Sequence, residues 1–188
     1  MSLTTLPPQA ATRLRDEAML MLEGRGQVLE TAREVTLLIR ESGATAAVIG
    51  GIAVMLHGHV RATVDVDVYV EGEPGPLAAR LVGAGFAFDP SRREFRRDLV
   101  PIHIVRPDQV PDNPREYVEI DGIGTVSLAD LITMKLRSGS SNLLRAQDLA
   151  DVIALVRRHG LGSSFAARLP KDLRPAFRKL ARAIGRES

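Results

Sequence analysis

Val48-Ile49-Gly50-Gly51 and, after thirteen intervening residues, Asp65-Val66-Asp67-Val68-Tyr69-Val70 form the stretch that decides how this chain folds. An apolar strand running into paired glycines can bring backbone N–H groups against a phosphate chain, because no Cβ blocks the approach. A bare Gly-Gly pair also makes an ordinary strand-to-helix turn, so the aspartates carry the argument. Side chains alternate along a strand, which puts Asp65, Asp67 and Tyr69 on one face and Val64, Val66, Val68 and Val70 on the other. Two like charges on one face of a valine strand repel unless a cation, or an arginine such as Arg61, neutralises them. Hard oxygen ligands beside a phosphate cradle suit metal-assisted phosphoryl or nucleotidyl transfer.

The flanking pattern is mixed helix and strand. Apolar periodicity predicts helices over residues 9–23, 30–40 and 77–82, with Ser42-Gly43 ending the second. Strands are expected over 46–49, 64–70, 86–88, 94–97 and 100–105, and a hairpin over 117–126 turning at Asp121-Gly122. Ser127 reads as the N-cap of a helix over 128–136, followed by a Ser138-Gly139-Ser140-Ser141 loop. A helix over 143–159 and a basic helix over 171–184 complete the chain. The expected class is α+β: a small mixed sheet flanked by helices, with a helical carboxy-terminal region. Three parts are expected: a flexible terminus over 1–8, the main domain over 9–160, and a basic helical tail over 161–188.

With 188 residues the chain can bury a real core in one domain. It has no cysteine, which excludes disulfides, thiolate zinc sites and a cysteine nucleophile. It contains neither an apolar run of about 20 residues nor a leader pattern, so a cytoplasmic protein without membrane contact is expected. Charge is segregated. Residues 157–188 carry nine basic and two acidic side chains, although the whole chain is only +2. Such a tail fits RNA, DNA or an acidic partner, or is simply a solvated amphipathic helix. No Trp and only two Tyr argue against base stacking as its main trade.

The longer string Ile49-Gly50-Gly51-Ile52-Ala53, His57-Gly58, Arg61, Thr63, Asp65, Asp67 resembles the nucleotidyltransferase superfamily of the DNA polymerase beta fold. It is most similar to the small bacterial members, the minimal nucleotidyltransferases and abortive-infection-type toxins. Ser127-Leu128-Ala129-Asp130-Leu131-Ile132-Thr133-Met134-Lys135, then Arg145, Asp148 and Asp151, is similar to the helical region of the same proteins. The likeness runs over residues 46–155. It implies Asp65 and Asp67 as ligands for Mg2+ or Mn2+, and Gly50 and Gly51 against a nucleoside triphosphate. Arg61, Thr63 and Lys135 are the further phosphate-side candidates. It also implies transfer of a nucleotidyl group to a hydroxyl on RNA (a tRNA-like acceptor) or protein, with a cognate antitoxin or a homodimer as partner. The alternatives are a degenerate nucleotide-binding module and an RNA-binding protein that uses its tail.

Two departures stand out. Many relatives carry serine where Gly51 stands, and active relatives place a third carboxylate on a later strand. Here the strand is Leu99-Val100-Pro101-Ile102-His103-Ile104-Val105, whose alternation puts His103 in that place. A neutral imidazole can ligate a metal or act as a base, though magnesium prefers oxygen and manganese tolerates nitrogen better. Asp98 and Asp108 would substitute only in another register. His57 and His59 are read as structural, Tyr69 as a stacking surface or a rim tyrosine, and Arg145, Asp148 and Asp151 as ion pairs along one helix.

Overall fold

Among the described residues, seven strands form one mixed sheet in the order β3-β4-β5-β2-β1-β7-β6. The computed structural model describes residues 16–187 except 18, 21 and 22. The terminus over 1–8 and most of the helix expected over 9–23 lie outside the described residues. The first full helix, α1 (Gln27–Ser42), ends where Gly43 adopts φ 69°, a left-handed conformation that suits glycine. Next come β1 (Ala46–Val48), α2 (Gly50–Leu56), β2 (Val66–Val70) and α3 (Gly75–Gly83). The strands β3 (Ala87–Asp89), β4 (Glu94–Arg97) and β5 (Val100–Val105) follow as a meander, and β6 (Tyr117–Ile120) and β7 (Ile123–Val126) as a hairpin. That hairpin turns at Asp121 (φ 51°) and Gly122 (φ 79°), the two left-handed residues a tight two-residue turn needs. The last helices are α4 (Leu128–Ser141), α5 (Ala146–Arg158) and α6 (Arg174–Glu187).

The sheet has a core on each face. Val66, Val68, Val70 and Ile102 point into the first, against Val35, Ile39, Leu77 and Leu81 of α1 and α3. Ala47, Ile49 and Tyr69 point into the second, against Leu131, Ile132, Val152, Leu155 and Phe177 of the carboxy-terminal helices. Burying both faces accounts for the apolar residues that β1 and β2 carry on each side, Val48 and Val68 on the first and Ala47 and Tyr69 on the second. The basic tail lies on the second core: Leu173, Phe177 and Ala181 of its amphipathic stripe are buried. Arg137 fastens it further through Asp172, at 2.8 Å.

Three local expectations need correction. The first concerns β2, which begins at Val66, so Asp65 lies just before the ladder and Val64 is exposed. The second is the loop read at residues 138–141, which is helix. Gly139 lets α5 pack directly on α4, because a Cβ there would stand 2.7 Å from Leu149 Cγ, so its role is packing and not a break. The third is Tyr69. It is 1% exposed within the second core, and its hydroxyl donates to Asn113 Oδ1 at 3.2 Å, so it offers no surface for a base.

Candidate functional site

Neighbouring strands bring the polar residues into a row. In the parallel β2–β5 ladder Asp67 is paired with His103. His103 Nδ1 lies 3.4 Å from Asp67 Oδ1 and 3.7 Å from Asp65 Oδ2. One ligand atom from each of Asp65, Asp67 and His103 falls within 4.8 Å of the others, a spacing that one cation spans. Each of the three side chains is about a third exposed, so the cluster is open on one side. His103 thus faces Asp65 and Asp67 as strand alternation predicts, while Asp98 sits in the β4–β5 turn with φ 58° and Asp108 is paired with Arg106 at 2.9 Å.

The two glycines make room for the two aspartates. Gly50 has φ 68°, and a Cβ on it would stand 2.2 Å from Asp67 Oδ2. A Cβ on Gly51 would stand 2.6 Å from Thr63 Oγ1, and that hydroxyl donates to Asp65 Oδ1 at 2.9 Å. Thr63 thus orients Asp65. The turn is held to β2 by Ile49 N–H, which donates to the Asp67 carbonyl at 2.8 Å. Burial first, then the neighbouring Asp65 charge, raises the Asp67 carboxyl above its ordinary pKa, while His103 and Lys135 pull it down. Burial and the Asp65–Asp67 repulsion both disfavour the ionised Asp67 carboxylate, and a cation between the two carboxylates would relieve both.

A cleft of about 200 Å³ opens beside Gly50 and Asp67, lined on its far side by Leu131, Lys135, Ser138, Arg145 and Asp148. A larger apolar groove of about 870 Å³, around Ala78, Val82, Phe88 and Phe95, borders the first core and is lined by no carboxylate or histidine. Of the Asp65–Asp67–His103 cluster, Asp67 lines the smaller cleft.

Arg61 and Lys135 reach this region already engaged. Arg61 donates to both oxygens of Asp151, at 2.9 and 3.2 Å, and does not neutralise Asp65 or Asp67. Lys135 Nζ lies 2.7 Å from Asp148 Oδ1 and 2.8 Å from Asp151 Oδ2. Asp151 is fully buried. Burial alone would raise its pKa, but hydrogen bonds from Lys135, Gln147 and Arg61 outweigh that and hold the carboxyl below its ordinary value. The expected ion pairing along one helix is thus replaced by pairing between elements: Asp148 and Asp151 serve α4 and the loop before β2. His57 is structural, with its Nε2 2.9 Å from the Val126 carbonyl, and burial lowers its pKa.

Glu94 was missed from sequence. It is 7% exposed, and its Oε2 lies 3.4 Å from His103 Nε2. The signal was the short turn after Arg97: with Arg97 paired to Val100 and Phe95 to Ile102, the same ladder carries Glu94 opposite His103.

No protein-family model matches this chain, and no curated protein matches it. Solved structures do. An antigenic nucleotidyltransferase-like protein from Paracoccidioides brasiliensis superposes with a TM-score of 0.51 at 16% identity, over 68% of this chain and 74% of that one. The crystal structure of ANT(2″)-Ia in complex with adenylyl-2″-tobramycin gives 0.52 at 17% identity, over 77% and 93%. The solution structure of the antibiotic-resistance factor ANT(2″)-Ia gives 0.50 at 18% identity, over 84% and 95%. At these identities the likeness is one of fold. A mixed sheet whose glycine turn abuts an Asp-x-Asp strand, superposing on these proteins, gives the chain a nucleotidyltransferase-like fold.

Proposed function

We propose that this protein is a metal-dependent nucleotidyltransferase that moves a nucleotidyl group from a nucleoside triphosphate to a hydroxyl acceptor. The observation that carries the reading is the Asp65–Asp67–His103 cluster, with its ligand atoms within 4.8 Å, set against the bare face of Gly50 in this fold. Its donor set fits a divalent cation: two carboxylates and one imidazole, each about a third exposed, with Asp67 at the edge of the cleft. When bound, such an ion supplies charge neutralisation and polarises the phosphate oxygens.

The chain's own residues do the rest. Asp65, oriented by Thr63, and Asp67, across from Gly50, hold the ligand oxygens in place. The N–H groups at the start of α2 approach the triphosphate, which lies along the cleft toward Arg145 and Lys135. The acceptor oxygen bonds to the α-phosphorus, the bond to the bridging oxygen breaks, and pyrophosphate leaves. The acceptor's proton passes to water on the open side of the cluster.

An RNA acceptor is the favoured class, since Arg178, Lys179, Arg182 and Arg186 lie exposed along α6. Among the structural relatives, ANT(2″)-Ia was solved with an adenylylated small molecule, a precedent for a non-protein acceptor on this fold. The family resemblance adds a cognate antitoxin as a partner, to be tested by co-expression and co-purification.

The test is incubation with each α-labelled nucleoside triphosphate, Mn2+ or Mg2+, and total RNA or protein. Label is expected on an acceptor, and its loss in the Asp65→Asn, Asp67→Asn double variant ties transfer to the cluster. Absence of label with every nucleotide and acceptor would refute transfer. Stabilisation by nucleotide plus cation in that case would identify a binding module.

A further inference from the structure

We infer that His103 and Glu94 make this a nitrogen-containing cation site selective for Mn2+ over Mg2+, with Glu94 as the positioning residue that aims the imidazole. The inference rests on the reading of the cluster given above and names the cation that it selects. Asp67, His103 and Glu94 lie side by side on three adjacent strands, β2, β5 and β4. The imidazole bridges them: Nδ1 faces Asp67 Oδ1 at 3.4 Å, and Nε2 faces Glu94 Oε2 at 3.4 Å.

Glu94 is itself fixed. Arg96 donates Nε–H to Glu94 Oε1 at 2.9 Å, and its Nη2 lies 2.7 Å from the same oxygen. One carboxylate oxygen is thereby taken by a guanidinium, and the other remains for the histidine. An N–H on Nε2 that donates to Oε2 leaves the Nδ1 lone pair directed at the two aspartates. This is the carboxylate–histidine–metal arrangement, in which the outer carboxylate sets the tautomer, the ring orientation and the basicity of the ligand. Glu94 is buried in this pose, where a carboxylate stays only if both its oxygens have partners.

An imidazole in place of a third carboxylate changes which ion the site prefers. Mg2+ requires oxygen ligands in near-ideal octahedral geometry, whereas Mn2+ accepts nitrogen beside carboxylate. Substituting nitrogen for oxygen at one of three protein ligands therefore penalises Mg2+ more than Mn2+. It also lowers the negative charge of the ligand set by one, which again weakens the hold on Mg2+.

The experiment uses the full chain with MnCl2 or MgCl2 and inorganic triphosphate, which removes any dependence on the base. Mn2+ binding is followed by electron paramagnetic resonance, Mg2+ by competition, and the ligand set by electron spin echo modulation. We expect 14N modulation from a coordinated imidazole and binding of Mn2+ at least tenfold tighter than of Mg2+. His103→Asp should abolish the nitrogen signal and narrow the Mn2+/Mg2+ ratio about tenfold. Glu94→Gln should weaken Mn2+ binding about tenfold, as is usual for an outer-shell partner, and leave Mg2+ nearly unchanged. A structural defect would weaken both ions together. If Glu94→Gln fails to fold, the wild-type nitrogen spectrum and His103→Asp still decide. Bound Mn2+ without 14N coupling, or Mg2+ bound as tightly as Mn2+, overturns the inference and leaves Asp65 and Asp67 as an oxygen site. Absence of any cation–triphosphate binding overturns both readings.

Discussion

Gly50 and Asp67 occupy one another's space: a Cβ on the glycine would stand 2.2 Å from Asp67 Oδ2. The carboxylate sits where a side chain would be, and the backbone at Gly50 has φ 68°, which L residues rarely adopt. The turn is therefore built around the Asp67 carboxylate rather than merely near it. Gly50→Ala should lower stability by about 1–2 kcal/mol through left-handed strain. It should also turn the Asp67 carboxylate away, with loss of cation–triphosphate binding by more than tenfold. A denaturation midpoint and a Mn2+ titration on the same variant check the two effects separately. Retention of full binding affinity in Gly50→Ala would show that the carboxylate does not depend on the turn.

Asp67 carries a cost that the proposed cation site explains. Burial and the neighbouring Asp65 charge both disfavour its ionised form, with His103 and Lys135 only partly offsetting them. Asp67→Asn keeps the shape and removes the charge. In the absence of ligand this variant should be more stable than the parent, by about 1 kcal/mol, as when a site strained for activity is relaxed. It should also lose stabilisation by cation plus triphosphate. Thermal melts with and without MnCl2 and triphosphate give both numbers. A less stable ligand-free Asp67→Asn would mean that the carboxylate is a structural group.

The network around Asp151 behaves in the opposite way. Its carboxyl is buried, yet Lys135, Gln147 and Arg61 hold its pKa below the ordinary value. A folded pKa below the unfolded one means that the folded chain releases a proton. The stabilising contribution is thus full above the unfolded value, near pH 4, and is lost as pH falls through the folded value. Asp151→Asn should cost about 3 kcal/mol at neutral pH by leaving Arg61 and Lys135 short of a partner. Its stability should also fall less steeply in acid than the parent's. Urea unfolding at a series of pH values between 3 and 7 measures this. Parallel curves for parent and variant would remove Asp151 from the acid limb.

How far these features were legible depended on the range of the contact that makes them. Gly50, Gly51, Asp65, Asp67 and the facing of His103 follow from strand alternation and one local turn, which a sequence carries directly. Glu94 required the register of a hairpin, because only the pairing of Phe95 with Ile102 brings it opposite His103. Gly139 reads as a helix breaker until the neighbouring helix is in place against it. Arg145, Asp148 and Asp151 have the spacing of helical ion pairs, but Asp148 bonds Lys135, 13 residues away, and Asp151 bonds Arg61, 90 residues away. Tyr69 shares the aspartate face as alternation demands, but the carboxy-terminal helices cover that end of the strand and leave only the Asp65–Asp67 end open.

On the proposed function, the carboxy-terminal helix separates acceptor binding from the nucleotide site. Leu173, Phe177 and Ala181 of its buried stripe pack into the second core, so the helix presents Arg178, Lys179, Arg182 and Arg186 from a fixed frame. Phosphate contacts release counterions, and each contact to a single strand contributes about −0.7 to the slope of log affinity against log salt. Changing Arg178, Lys179, Arg182 and Arg186 together to Gln should therefore weaken RNA binding at low salt and flatten that slope by about two to three. Binding of Mn2+ and triphosphate should not change, because none of the four lines the cleft. Filter binding of total RNA across a salt series, run beside the Mn2+ titration, measures both. A salt slope left intact in the quadruple variant would place the acceptor's contacts elsewhere on the molecule.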